Sequence, residues 1–400
     1  MIHYFNPGHE TAVLNKSKYY QPAANQVKMQ SDLTYLPAWY AQPDDFVLTD
    51  DESILPVSIP ELLLELQNNS SCVFPNALNE SDYFRLEKQK VEIWGRSPKS
   101  IHSIQQFGEK HNLSLDIPQW SDAIGLLNAR TTARDCLQTL IELPEIESDI
   151  IPHYYNSVEK IEEKLLQSHN SLLLKSPYSS SGRGLLWLPP IELDRSSKQI
   201  ISGMLRKQQE VSLEPALDKA LDFSMHYEIK EDKTILFKGF SLFRTNNKGA
   251  YEYTILNTQV KQKSEITRYI TEDLLSRVKD RHQEFIKERI SPYYIGNVGV
   301  DMLIYRLGSR YKLQPCVEIN LRKSMGYLSL CLYDRYVSES SKGIYRVDYA
   351  KNEGEIQIKH EQLIQEHPLI ITDQKIVSGY VSLCPVKYDT KYHAYILIES

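Results

Sequence analysis

The chain has 400 residues, of which 24% are charged and 41% apolar, a composition typical of a soluble globular protein with room for two or three domains. The formal net charge of -6 argues against a broad nucleic-acid-binding surface. No segment approaches the roughly 20 apolar residues of a membrane helix, and the first residues lack the basic and apolar regions of a signal peptide. We therefore expect a cytoplasmic protein whose partners include neither nucleic acid nor a membrane.

Cysteine and histidine spacing gives no sign of a zinc site or a disulfide framework. The five cysteines are odd in number and widely spaced, and none belongs to a Cys-x-x-Cys pair. The eleven histidines include no His-Glu-x-x-His motif. The sequence therefore predicts reduced cysteines.

Residues 1–100 alternate short apolar runs with helical patterns. Four of the runs predict strands, at Ile2–Phe5, Phe46–Leu48, Cys72–Pro75 and Glu92–Gly95. A helix is predicted at Pro60–Leu66, where a proline precedes a series of leucines. Strands that alternate with helices predict a small parallel α/β layer.

The next stretch, residues 100–170, is mainly helical in pattern, with predicted helices at Ser121–Leu127, Arg130–Ile141 and Ser157–Gln167. It leads into Leu172–Leu188, which reads as strand, glycine-rich loop, strand. Small side chains in such a loop leave backbone N–H groups open to an anion, and Lys175 at the end of the first strand would add a positive charge. The alternative is a plain hairpin with a solvated lysine. The loop matches neither a Walker motif nor a dinucleotide fingerprint.

Residues 190–290 predict further strands and one long helix. The strands are predicted at Glu210–Pro215, Phe223–Ile229, Thr234–Phe243 and Glu252–Thr254. An amphipathic helix is predicted at Thr271–Ile290. Residues 336–400 are again rich in β-patterned segments.

A predicted hairpin, Gly296–Tyr305 and Lys312–Leu321, carries polar residues in strongly apolar strands. Glu318 and Asn320 project to one face because residues i and i+2 of a strand share a face, and pairing could bring Asp301 onto the same face. Two carboxylates and an amide oxygen suit Mg²⁺ held jointly with phosphates. The alternative is the solvated face of an edge strand.

These stretches together resemble the ATP-grasp family. The resemblance is carried by LLLKSPYSSSGRG, EVSLEP, VGVDMLIY and CVEINLR, in that order. It implies an α/β fold, α+β in the nucleotide-binding part, with an N-terminal Rossmann-like pre-domain and two α+β subdomains that clasp ATP. The expected segments are residues 1–100 for the pre-domain, 101–206 and 207–335 for the two subdomains, and 336–400 for a β-rich extension.

The resemblance also implies roles for individual residues. The ATP-binding set would comprise the phosphate-contacting lysine, the flap over the phosphates, the hinge beside adenine and a ribose contact: Lys175, Ser179, Ser180, Ser181, Gly182, Arg183, Gly184, Glu214, Pro215, Ala216, Leu217 and Asp222. Asp218 is the alternative ribose contact. The Mg²⁺ ligands would be Asp301, Glu318 and Asn320. Arg322, which follows Glu-x-Asn, would contact the transferred phosphate or the substrate, and Arg322 and Lys175 would be the catalytic residues.

Substrate contacts are expected beyond the first strand, because open α/β sheets bind ligands at the carboxyl ends of their strands. Asn6, His9 and Glu10 are the candidates there, and Arg244 is a candidate from the other part of the chain. The alternative, which we favour from the residues alone, is a helix-capping loop with solvated His9 and Glu10.

One departure from the family pattern concerns a second phosphate-binding lysine, which many members carry before the flap. Here that region offers Arg130 and Arg134. Arginine binds phosphate well through its planar fork, but both positions also fit surface residues, and we expect surface positions.

The activity that the resemblance implies is that of an ATP- and Mg²⁺-dependent ligase joining a small-molecule carboxylate to an amine, or to a thiol. The alternatives are an ATP-grasp kinase and a non-catalytic nucleotide-binding module. The expected partners are the carboxylate and amine substrates, with a homodimer left open.

Overall fold

The computed structural model describes residues 1–49, 62, 71–73, 78, 80–179, 182, 184–246 and 249–400. Its strands are β1 (Ile2–Tyr4), β2 (Phe46–Leu48), β3 (Ser71–Val73), β4 (Val91–Ile93), β5 (His153–Tyr155), β6 (Leu172–Lys175), β7 (Leu185–Leu188), β8 (Val211–Pro215), β9 (Asp218–Ile229), β10 (Ile235–Thr245), β11 (Tyr251–Leu256), β12 (Gly296–Leu307), β13 (Arg310–Asn320), β14 (Lys342–Tyr349), β15 (Ile370–Thr372), β16 (Lys375–Ser382) and β17 (Tyr392–Glu399). Its α-helices are α1 (His9–Asn15), α2 (Ala24–Asp32), α3 (Glu80–Leu86), α4 (Pro98–Lys110), α5 (Asp122–Leu127), α6 (Arg130–Leu140), α7 (Val158–Leu166), α8 (Arg195–Gln208), α9 (Gln259–Thr267), α10 (Glu272–Phe285), α11 (Met325–Tyr336) and α12 (Glu355–Glu366).

The chain forms two compact units. The terminal unit comprises Met1–Trp120, Tyr253–Lys261 and Arg322–Ser400, and the central unit comprises Ser121–Glu252 and Gln262–Leu321. The four-segment division expected from the family resemblance stays a prediction. None of the described helices is long and apolar enough to cross a bilayer.

The terminal unit begins with a parallel sheet in the order β3-β2-β1-β4. Strands β1, β2 and β4 are short and apolar and pack on α4, whose first turn is capped by the Ser97 side chain. A serine cap followed by proline is a strong helix start, because it satisfies an N–H that the helix leaves unpaired. The predicted parallel α/β layer is thus confirmed, while the helix predicted at Pro60–Leu66 lies outside the described residues except for Leu62, which is helical.

The second sheet of the terminal unit is antiparallel, in the order β11-β14-β17-β16-β15. The β-rich character predicted for residues 336–400 is confirmed, although α12 also lies there. Helix α11, which we did not predict, begins at the N-cap Ser324 and buries Leu328 and Leu332, one turn apart.

The central unit contains two antiparallel arrays of strands, β5-β8-β6-β7 and β13-β12-β9-β10. The first packs its leucines against α7 and α8, which supply Ile161, Leu165 and Ile201. The predicted helix at Thr271–Ile290 divides in two. Helix α10 ends at Phe285 and a π-helical segment, Ile286–Ile290, follows, with the N–H of Ser291 bonded 2.8 Å from the Ile286 carbonyl five residues back.

Candidate functional site

Lys175 and Glu214 face each other in the central unit. Strand β6 pairs with β8 so that Lys175 lies opposite Ser212, and Glu214 lies two residues further along on the same face. The Lys175 ammonium forms an ion pair with the Glu214 carboxylate, and the lysine is only 5% exposed. The alternative of a solvated lysine is therefore wrong, because this charge is buried and held by a partner.

The loop after Lys175 is a tight glycine turn. Gly182 and Gly184 have φ angles of 74° and 69°, which favour glycine. The N–H of Ser176 donates to the Gly184 carbonyl (3.0 Å), and the Ser179 hydroxyl donates to the Ser176 carbonyl (3.2 Å). A Cβ at Gly182 would lie 2.8 Å from Ala250 Cα, so this turn packs backbone against backbone. Ser180, Ser181 and Arg183 lie outside the described residues.

The expected hinge residues, Pro215, Ala216 and Leu217, lie at the end of β8 and just after it. The N–H of Ala216 is bonded to the Ser171 carbonyl (3.0 Å), which commits it to the fold. Pro215 has no N–H, so Leu217 is the hinge residue whose N–H no described residue occupies. The expected ribose contact, Asp222, is buried and accepts hydrogen bonds from Thr245 Oγ1 (2.9 Å) and Lys219 Nζ (2.6 Å).

The β12–β13 hairpin places the three expected metal ligands together. Asp301 lies opposite Glu318, and Gly299 lies opposite Asn320. Asn320 Nδ2 donates to Asp301 Oδ2 (3.0 Å), while the hydroxyl of Ser224 on β9 donates to Asp301 Oδ1 (2.6 Å). These bonds fix the Asp301 carboxylate and turn the Asn320 amide oxygen away from it.

This donor set fits Mg²⁺. Asn320 Oδ1 and Glu318 Oε1 accept no hydrogen bond from any described residue, and both are hard oxygens. No group of three or more His, Cys, Asp or Glu among the described residues could hold a metal ion by itself. The amide of Asn320 and oxygens from a bound ligand would therefore complete the coordination, as is usual for Mg²⁺ beside phosphates.

Arg130 joins the two halves of this site. Its backbone N–H donates to the carbonyl of Pro177, just after Lys175 (3.0 Å), and its guanidinium Nη2 lies 2.9 Å from Glu318 Oε2. Its side chain is 10% exposed, and its Nε is buried without a hydrogen-bond partner among the described residues. The expectation of a surface position is wrong for Arg130, because position N1 of α6 points inward here. No local signal in the sequence distinguished it from other arginines.

Arg134, the other arginine of this helix, differs from Arg130. It bonds to the neighbouring Asp135 at 2.7 Å and lies over the ring of Tyr154, 5.1 Å from its centroid. It is half-buried, in partial agreement with the surface expectation.

Sequence reasoning missed a polar row on β9. Ser224 and His226 share a face with Asp222, and the His226 ring bonds the hydroxyl of Ser241 on β10 (Nε2 to Oγ, 2.7 Å). Burial lowers the pKa of His226 to about 3, so the ring is neutral. The alternation of FSMHYEI already places these polar residues together, so the signal was present in the sequence.

The terminal unit groups the expected substrate contacts. Arg322 Nε donates to Glu10 Oε1 (3.0 Å), and His9 Nδ1 lies 3.4 Å from the same oxygen. Asn6 is bonded to both backbone groups of Gly95, at 2.6 and 3.0 Å. The expectation of solvated His9 and Glu10 is wrong, because both side chains are buried.

Electrostatics keep the Glu10 carboxyl ionised. Burial alone would raise its pKa, but the charges of His9 and Arg322 outweigh burial and hold that pKa well below the usual range.

Two arginines expected at the site lie outside the paired strand β13. Strand β13 ends at Asn320, and the backbone of Arg322 forms an isolated β-bridge with Gly95. Arg244 lies exposed near the end of β10.

Comparison with known proteins identifies the fold. No protein-family model matches the chain, and no curated protein matches it in sequence. A structure of N5-carboxyaminoimidazole synthetase from Staphylococcus aureus with ADP is similar over 100% of this chain and 93% of that chain, at 12% identity and a TM-score of 0.50. A second structure of the same enzyme gives 13% identity, the same coverage and a TM-score of 0.50. That enzyme is an ATP-grasp carboxylate–amine ligase.

The fold is the ATP-grasp fold. A pyruvate carboxylase variant from Rhizobium etli agrees, with 91% of this chain and 34% of that chain aligned at 9% identity and a TM-score of 0.52. The α/β fold class expected from the ATP-grasp resemblance is therefore confirmed. At such low identity the likeness concerns the fold, and the roles of individual residues rest on the geometry above.

Proposed function

We propose that this ATP-grasp protein is an ATP- and Mg²⁺-dependent ligase that activates a small-molecule carboxylate for attack by an amine or a similar nucleophile. The observation that carries the proposal is the placement of Arg130. It bonds the loop beside Lys175 through its backbone and Glu318 through its side chain, so the cations expected to bind phosphate lie close to an oxygen expected to bind the metal.

The proposed reaction has two steps. The substrate carboxylate attacks the γ-phosphorus of ATP and gives an acyl phosphate and ADP; the nucleophile then displaces phosphate. The protein positions charge rather than supplying a nucleophile. Lys175 and Arg130 would bind phosphate oxygens, the glycine turn would cover them, and the Leu217 N–H would meet adenine.

Asp301, Glu318 and Asn320 would hold Mg²⁺, which when bound neutralises charge on the phosphates. Ser224 and Asn320 already hold the Asp301 carboxylate in one orientation. Arg322 and Glu10, with His9 and Asn6, would bind the acid or the amine. A cytoplasmic location and a homodimer belong to the same proposal, and light scattering on the purified protein tests the second.

The first test is ligand binding and turnover. Mg-ATP should raise the melting temperature, because a ligand that binds the native state stabilises it. A panel of acids and amines should then stimulate release of phosphate, and hydroxylamine should trap the acyl phosphate as a hydroxamate. A kinase would release ADP and yield no hydroxamate. No thermal shift with Mg-ATP would contradict every nucleotide-binding function.

A Glu318→Gln variant tests the metal site. It removes the charge that would hold Mg²⁺, so we expect turnover to fall on the order of a hundredfold. Glu228→Gln on β9 is the matched control, because Glu228 pairs with Lys230 and Lys238 at the other end of the same strand array. Unchanged turnover in Glu318→Gln would refute the proposed metal site.

A further inference from the structure

Tyr154 carries a buried hydroxyl that bonds to none of the described residues. The residue lies on β5, and its Oη is buried without a hydrogen-bond partner among the described residues. Burying a hydroxyl unpaired is unfavourable, and most buried polar groups have a partner. The group therefore calls for an explanation beyond packing.

The strand register shows where this side chain points. Tyr154 lies opposite Ser212 on β8, and Ser212 lies opposite Lys175 on β6. Residues directly opposite in neighbouring strands project to the same face, so Tyr154, Ser212 and Lys175 form one row across the sheet. Glu214 projects to this face as well. Tyr154 therefore shares a face with the Lys175–Glu214 ion pair.

A cation lies over the Tyr154 ring. The Arg134 guanidinium lies 5.1 Å from the ring centroid. Arg130 adds a second buried donor without a hydrogen-bond partner in the described part of the chain, its Nε. The charges of both arginines act on the phenol, although burial dominates and raises the pKa of Tyr154. The hydroxyl thus stays protonated at neutral pH and can donate a hydrogen bond.

The buried groups here that have no hydrogen-bond partner among the described residues are donors, Tyr154 Oη and Arg130 Nε. The Lys175 ammonium, which pairs with Glu214, lies in the same row as Tyr154. Donors without acceptors call for a ligand rich in acceptors, and cations among them favour an anionic one. A polyphosphate chain has this chemistry, whereas an adenine base presents few acceptors and no charge.

We propose that Tyr154 is a further nucleotide-binding residue, whose hydroxyl donates a hydrogen bond to a phosphate oxygen of bound ATP. This inference rests on the proposed ATP-dependent function and adds a contact to it.

The test is Tyr154→Phe, which removes only the hydroxyl. In the free protein the hydroxyl has no partner among the described residues, so the variant should melt at the same temperature as the wild type or higher. Its dissociation constant for Mg-ATP, measured by calorimetry, should rise roughly tenfold or more, because a hydrogen bond to a charged group is lost. Tyr155→Phe is the matched control. Tyr155 is the next residue of β5 and packs on the opposite face against the leucine cluster. The affinity of the Tyr155→Phe variant for Mg-ATP should equal that of the wild type.

Adenosine separates phosphate contact from base contact. Because it lacks phosphates, Tyr154→Phe and the wild type should bind it equally. An equal penalty for adenosine and Mg-ATP would overturn the phosphate assignment, and so would unchanged Mg-ATP affinity. A clear loss of melting temperature, or failure to fold, would show that the hydroxyl is structural and would also overturn it. Absence of Mg-ATP binding by the wild type would instead refute the proposed function itself, and this inference with it.

Discussion

At the scale of single residues, the central unit neutralises buried charges in pairs. Lys175 pairs with Glu214, and Arg130 pairs with Glu318, each pair largely out of water. Ionic groups removed from water need partners, because the desolvation cost of an unpaired charge is large. If these groups bind a nucleotide and Mg²⁺, the ligand must replace each partner as it enters. Free and bound protein would then differ in the ion pairs of the site.

Arg130→Ala tests this exchange. The variant loses a cation that we expect on the phosphates, so its affinity for Mg-ATP should fall on the order of tenfold to a hundredfold. Arg195→Ala, at an exposed position of α8, removes the same charge elsewhere and should bind Mg-ATP normally. Calorimetric titration of both variants checks the difference. Equal affinities would show that Arg130 serves only to neutralise Glu318.

At the scale of elements, the turn between β6 and β7 depends on glycine. Gly182 needs a positive φ and has backbone atoms of Gly249 and Ala250 within 2.9 Å of any added Cβ. A side chain there must displace the turn from the neighbouring loop. Because the turn is expected to cover the phosphates, its displacement should weaken ligand binding more than it destabilises the fold.

Gly182→Ala should therefore raise the KM for ATP roughly tenfold or more, because the displaced turn would no longer hold the phosphates in position. Gly203→Ala, inside helix α8, is the control, because nothing lies within 4 Å of its added Cβ. It should leave the KM unchanged and stabilise the protein by about 1 kcal/mol through helix propensity. Steady-state kinetics and thermal melting test both variants; a normal KM in Gly182→Ala would contradict a flap role.

At the scale of the whole molecule, buried histidines set how stability depends on pH. Burial is the main cause that lowers the pKa of His226 to about 3, of His282 to about 4 and of His393 to about 3. The unfolded chain binds protons at these residues below pH 6.5, and the folded chain does not. The stability that these neutral histidines contribute is therefore fully present above pH 6.5, and it is lost as the pH falls below that value.

We expect the free energy of unfolding to decrease between pH 7.5 and 5.5, approaching about 1.4 kcal/mol per pH unit for each such histidine. The pKa of His3 is raised by Asp45 and Glu92 against the effect of burial, so this residue opposes the trend. Urea unfolding at several pH values measures the slope. His282→Gln should reduce the slope by up to about 1.4 kcal/mol per pH unit, the effect of one proton. A protein that became more stable on acidification would contradict the proposed role of the buried histidines.

Much of the fold and part of the site follow from local pattern. Alternation of apolar and polar residues predicted β12 and β13 and placed Glu318 and Asn320 on one face, because a strand repeats every two residues. Helix α11 was not predicted from the sequence. Its alternating leucines fit more than one type of secondary structure when read alone, and packing within the core of the terminal unit favours the helix.

The sequence by itself determined the strands, the glycine turn and the carboxylate hairpin, since each depends on neighbours along the chain. Only the tertiary structure decided which charges meet. Arg322 binds Glu10, 312 residues away, and Arg130 binds Glu318 although its own helix marks it as an ordinary arginine. Likewise, only the pairing of β5 with β8 shows that the Tyr154 hydroxyl is buried and has no partner within the described ranges. Contacts between distant segments depend on the packing of whole elements, which no local period encodes.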